Sequence, residues 1–128
     1  VNIARVGEVH VTTGSFSNSI GLNIIDVENG DVSIITGADG TSGAIAVDVV
    51  NVTSGSVTMT TGNAANDIVL NIDQANDGDV SITTGDATGS GAGIDIDTSN
   101  VQNGDVFITT GTAEIVNVAV EDVSGGAM

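Results

Sequence analysis

The chain has 128 residues, enough for one domain, and 40% of them are hydrophobic, with two Phe and no Trp, Tyr, Pro or Cys. Its core must therefore be aliphatic, and disulfides, thiol catalysis and thiolate metal sites are excluded. Seventeen acids face one basic residue, Arg5, giving a net charge of −16, which repels phosphate and so excludes nucleic acid and anionic lipid surfaces as partners.

In chain order, Val1, Ile3 and Val6 read as the end of one strand and the corner after it. The segment Gly7-Glu8-Val9-His10-Val11-Thr12-Thr13-Gly14 follows, and close copies of it begin at Gly30, Gly55, Gly78 and Gly104. The steps between these leading glycines are 23, 25, 23 and 26 residues, and a further copy starts at Gly126. A period of this size marks stacked units, none of which can bury its apolar face alone. Within a unit, the leading strand Asp31–Thr36 alternates, with Val32, Ile34 and Thr36 on one face. After Gly37 and a variable loop, the return strand Ile45–Val49 alternates as well. The return strands of the other units supply Ile20, Leu22 and Ile24; Ile68, Leu70 and Ile72; Ile94, Ile96 and Thr98; and Val116, Val118 and Val120. β-branched residues dominate, and no stretch keeps a 3.6-residue period, so strands without helix are expected.

Two β architectures compete. Asn29-Gly30, Asp77-Gly78 and Asn103-Gly104 suit two-residue hairpin turns and an antiparallel meander. Against this, the inward phase flips at the end of each return strand: Val52 lies three residues beyond Val49, as Val27, Ala75, Val101 and Val123 do in the other units. A hairpin would need a bulge to absorb the flip, whereas the corner of a coil absorbs it directly. Repetition position by position also suits a parallel, in-register stack, in which equivalent residues lie about 4.8 Å apart. The sequence thus predicts a single-domain, all-β parallel solenoid over residues 1–128. It would have about five and a half coils of 22–26 residues, each with two main strands and a short corner strand.

The repeat Gly-Asp-Val-x-Ile-Thr-Thr-Gly, a small loop and an alternating strand returning to Gly-Asp-Val resembles the passenger repeats of bacterial autotransporter and filamentous-haemagglutinin-type adhesins, over almost the whole chain. The resemblance implies a right-handed parallel β-helix, display outside the cell, and adhesion or matrix building, with a cell-surface or glycan partner. No signal peptide is read, and the chain starts at Val1, which suits a mature chain or an excised segment.

Neither end carries a plug or an atypical repeat, and open end coils are exposed strand edges. Head-to-tail self-assembly into a fibre is therefore expected, through Val1, Ile3, Val6, Val106, Ile108, Val116, Val118, Val120 and Met128. The alternative is a repeat segment of a larger cell-surface adhesin.

Stacking turns outward positions into rows. The row after the leading glycine is Glu8, Asp31, Ser56, Asp79 and Asp105, a solvated carboxylate row with Asp77, Asp79 and Asp105 as candidate Ca²⁺ ligands. A polar ladder runs through Asn2, Asn23, Asp48, Asn71, Asp97 and Ala119, and a second through Asp26, Asn51, Gln74, Asn100 and Asp122. The leading strands present Thr12, Ile35, Thr60, Thr83 and Thr109 outward, which raises ice binding as a further alternative. No cofactor beyond possible Ca²⁺ is implied. No enzyme is read: there is no Lys, His10 has no evident catalytic partner, and no carboxylate pair is singled out.

Overall fold

The computed structural model describes residues 2–38 and 43–128, with side chains from Gly7 onward. Val1, the side chains of Asn2, Ile3 and Val6, and residues 39–42 of the loop after Gly37 lie outside the described residues.

Eleven strands follow one another among the described residues, with no helix between them: β1 (Asn2–Val6), β2 (Val9–Thr12), β3 (Ile20–Glu28), β4 (Val32–Ile35), β5 (Ile45–Val52), β6 (Val57–Thr60), β7 (Ile68–Asn76), β8 (Val80–Thr83), β9 (Gly93–Gln102), β10 (Val106–Thr109) and β11 (Ile115–Glu121). The odd-numbered strands form one sheet, in the order β1-β3-β5-β7-β9-β11, and the even-numbered strands form the other, β2-β4-β6-β8-β10. Every pairing between neighbouring strands is parallel. The fold is a parallel β-solenoid, and the meander is ruled out.

Register follows the sequence repeat. Val32 pairs with Val57, Val57 with Val80 and Val80 with Val106. In the long sheet Leu22 pairs with Val47, Val47 with Leu70 and Leu70 with Ile96. Each interior coil buries the aliphatic set expected of it: Val32, Ile34, Ile45, Val47, Val49 and Val52 are all 2% exposed or less. At about 1.5–3 kcal/mol for each fully buried side chain, this burial is the main stabilising term, and each coil gains it only once its neighbours cover it.

The corner has a specific backbone cause. Asp26, Asn51, Gln74, Asn100 and Asp122 have φ between 53° and 64°. These five residues are the second polar row expected from the sequence. A left-handed residue breaks the strict alternation of a strand, so Val49 and Val52 can both point inward. Asn and Asp tolerate this conformation better than most residues. The pairing skips the corner, passing from Ile25↔Val50 to Val27↔Val52. The return strand runs through this bend, so the separate short corner strand expected from the sequence is absent among the described residues. A second left-handed position, at Asn29, Asp77 and Asn103, turns the chain into the next leading strand.

The coil count also differs. The four pairings of the short sheet mark about four complete turns, because the expected five and a half included incomplete coils at both ends.

The leading glycines serve close approach. A Cβ on Gly78 would overlap the backbone carbonyl of Gly55, and one on Gly104 would overlap that of Gly78. Only glycine lets successive coils meet there.

The segment read as a variable loop is a packed third side. Ala64, Ala87 and Ala92 are buried, and Ala64 and Ala87 form a parallel bridge. Small side chains fit because this side lies close to the core.

Four threonines, Thr36, Thr61, Thr84 and Thr98, break the aliphatic interior. The hydroxyls of Thr36 and Thr98 are buried without a hydrogen-bond partner. An unpaired buried hydroxyl costs about 1–3 kcal/mol, and Val has nearly the same shape. Thr98→Val should therefore stabilise the solenoid by about 1–2 kcal/mol, read as a higher midpoint in urea unfolding with an unchanged slope.

Candidate functional site

The outer rows form ladders in which the side chains of one coil hold the next. In the row after the leading glycine, Asp31 Oδ1 accepts from the Ser56 N–H at 2.8 Å and Ser56 Oγ from the Asp79 N–H at 3.3 Å. Asp79 Oδ1 accepts from the Asp105 N–H at 2.9 Å, and Asp105 Oδ1 from the Ala127 N–H at 2.7 Å. Backbone groups at the turn between strands thus gain acceptors, two of them from side chains expected to bind Ca²⁺. The third candidate, Asp77, accepts from Asn103 Nδ2 at 2.8 Å. The three carboxylates each reach to the following coil. Among the described residues, no group of three or more His, Cys, Asp or Glu side chains is arranged to hold a metal ion.

The mid-strand ladder is present in part. Asn71 Nδ2 donates to Asp48 Oδ1 at 3.0 Å, while the side-chain oxygen Oδ1 of Asn23 is buried without a partner. Asp97 is exposed, and its row ends at Ala119. In the corner ladder Asn51 Nδ2 donates to Asp26 Oδ1 at 2.7 Å, whereas Asn100 Nδ2 reaches past Gln74 to the residue before it, Asp73, and donates to its Oδ1 at 2.8 Å. Carboxylates only accept, so each partner amide must present its NH₂ group. Such charge-assisted bonds are stronger than neutral ones. They also place an amide, rather than a second carboxylate, against each of these acids.

Two rows went unrecognised in the sequence. After the second glycine of the repeat, Asn63 Oδ1 accepts from the Asp86 N–H, and Asp86 Oδ1 accepts from both the N–H and the hydroxyl of Thr112, at 2.7 and 3.0 Å. On the third side, Ser19 Oγ accepts from the Ala44 N–H and Asp67 Oδ1 from the Gly93 N–H. The available signal was the recurrence of short Asx and Ser side chains at fixed offsets from the glycines.

These ladders share a direction. The donor sits in the later coil and the acceptor in the earlier one. The Gly91 N–H, which donates forward to Glu114 at 2.9 Å, runs the other way.

The last coil is open. Val106 is 4% exposed and Ile108 and Val120 are half-buried, but Val116 and Val118 are 44% and 46% exposed and Met128 is 82% exposed. One coil earlier, the equivalent Ile94 and Ile96 are fully buried. Sheet position makes the difference, since β11 is the outermost strand of its sheet among the described residues.

Other surface features are slight. Exposed His10 lies with Nε2 3.6 Å from Glu8 Oε2, a surface pair worth little. Gly21 and Ala46, in register beside Val69, leave a shallow trough of about 500 Å³ on the long sheet, edged by Asn23, Asp48 and Asn71. Thr60, Thr83 and Thr109 stand in register on the short sheet, interrupted by exposed Ile35 in the same row. No helix among the described residues is long and apolar enough to cross a membrane. Comparison with protein-family models, with curated proteins and with solved structures finds no match.

The bonds from Thr112, first from its N–H and then from its hydroxyl, hold the Asp86 carboxyl below its ordinary pKa. A depressed native pKa gives stability that is present above the ordinary carboxylate range and fades as pH falls through the native value. Asp86→Asn should therefore flatten the loss of stability between pH 5 and pH 2 relative to the parent chain. Urea unfolding of both proteins at each pH checks this.

Proposed function

We propose that this chain is a non-catalytic structural and adhesive protein of the cell exterior, a solenoid rod that joins end to end with further copies of itself into a fibre. The observation that carries this reading is the in-register stacking of equivalent coils, in which β11, outermost among the described residues, exposes at Val116 and Val118 positions that interior coils bury. Another coil is the surface complementary to that face in shape, strand direction and spacing.

The direction of the ladders favours a head-to-tail joint. In the side-chain ladders a later coil offers donors and an earlier coil offers acceptors, so the tail of one rod matches the head of another better than it matches a second tail. Contacts of this heterologous kind do not close, and they give open filaments. The resemblance of the repeats to autotransporter and haemagglutinin-type passengers supports a bacterial cell-surface or matrix setting. The acidic exterior keeps neighbouring rods apart and soluble. No cofactor is required.

A second reading is favoured by residues 126–128. Ala127 already sits on Asp105, its N–H bonded to the Asp105 carboxylate, and its carbonyl accepts from the Val106 N–H at 2.8 Å. The same face would accept a covalent next coil, making these residues a segment of a larger cell-surface adhesin.

The purified 128-residue chain separates the two readings. Electron microscopy should show thin unbranched fibres, with a sedimenting fraction that grows with concentration. Val118→Lys, which places a charge on the half-covered inward position of the outermost strand, should leave monomers, with circular dichroism showing that the chain still folds. A parent chain that stays monomeric at every concentration overturns the fibre reading and leaves the segment reading.

A further inference from the structure

Two Asn-Gly steps, Asn29-Gly30 and Asn103-Gly104, occupy equivalent places in the coil. Their backbones match, with φ of 54° and 55°, and both asparagines are exposed. They differ in one contact. Asn103 Nδ2 is held by Asp77 Oδ1 at 2.8 Å, from the coil beneath. At the Asn29 level no such acceptor stands beneath: Val6 pairs with Glu28 and the Gly7 N–H donates to the Glu28 carbonyl, so the residue one coil earlier is Gly7, which has no side chain.

We infer that Asn29 is a site of spontaneous deamidation and that Asp77 guards Asn103 against the same reaction. The chemistry needs only water. The Gly30 amide nitrogen attacks Asn29 Cγ, forming an N–Cγ bond. The Cγ–Nδ2 bond breaks, and ammonia leaves with the proton lost from the Gly30 nitrogen. Water then opens the resulting cyclic imide at either carbonyl, giving Asp, or an isoaspartyl linkage that routes the backbone through Cβ and Cγ. A following glycine favours the attack because no side chain screens its nitrogen. At Asn103 the same ring closure must first pull Nδ2 away from a carboxylate.

The product matters at Gly30. A Cβ there would overlap the Glu8 N–H and the Gly7 carbonyl carbon, so the coil beneath has no room for a backbone lengthened by one carbon. Isoaspartyl formation should loosen the packing of the first complete coil on the second. An Asp at position 29 would leave the backbone in place and add one more negative charge.

Incubating the full chain at pH 8 and 37 °C and mapping its peptides by mass tests the inference. Asn29 should convert to Asp and isoaspartate about tenfold faster than Asn103, the factor expected for a charge-assisted hydrogen bond of ordinary net strength. In strong urea the two sites should react at similar rates. Asp77→Ala should bring Asn103 up to the rate of Asn29 in the folded protein, with Asn29 unchanged. Equal rates in the folded parent, or faster loss of Asn103, would overturn the assignment. So would an Asp77→Ala variant that stays folded by circular dichroism and leaves Asn103 as slow as before.

Discussion

Parallel in-register stacking is the constraint on which the rest of this structure depends. It sets every side chain directly above its own counterpart, one strand spacing away. A position is acceptable only if it tolerates its equivalent as a neighbour. Aliphatic side chains satisfy this inside, where Ile45, Ile68 and Ile94 lie in a column. Glycine satisfies it where backbones touch. Acids do not satisfy it alone, since carboxylates a strand apart repel. The chain answers by setting an amide, a hydroxyl or a backbone N–H against an acid, as in Asp48 with Asn71 and Asp31 with the Ser56 N–H. With a net charge of −16 and one Arg, salt bridges could not have done this.

Much of the architecture was legible in the residues. The three-residue step from Val49 to Val52 announced a bend, and the strand bends there. The inward set was readable because alternation leaves little freedom once one face is buried. The third side was hidden, because Ala64 and Ala87 carry too little apolar surface to stand out from the surrounding Asn, Asp and Gly. The corner row was visible as polar residues, while its left-handed backbone was not inferred, although Asn and Asp are the residues expected there. Gln74 makes that row harder to read, since its longer side chain lacks the same local preference.

The carboxylates were the least legible feature. In the sequence, Asp79 and Asp105 are acids on a surface, and a divalent ion is a natural suggestion. In the fold, each already receives a backbone N–H of the next coil. The spacing that aligns them, 26 residues, is a coil length and carries no information about coordination. Exposure at β11 was likewise beyond any single repeat. Val116 and Val118 resemble their buried equivalents in kind and differ in lying on the outermost strand among the described residues.

The ladders have a further consequence, for how the molecule could vary in length. Each coil's donors and acceptors are met by the coil beside it, and no strand pairs with one two coils away. A whole coil could therefore be duplicated or removed and the seam would close on equivalent partners. The coils already differ in size, at 22 to 26 residues, with the difference absorbed on the third side while the two sheets stay in register. The packing of one coil therefore sets no limit on the number of coils, unlike the packing that fixes the size of a globular core.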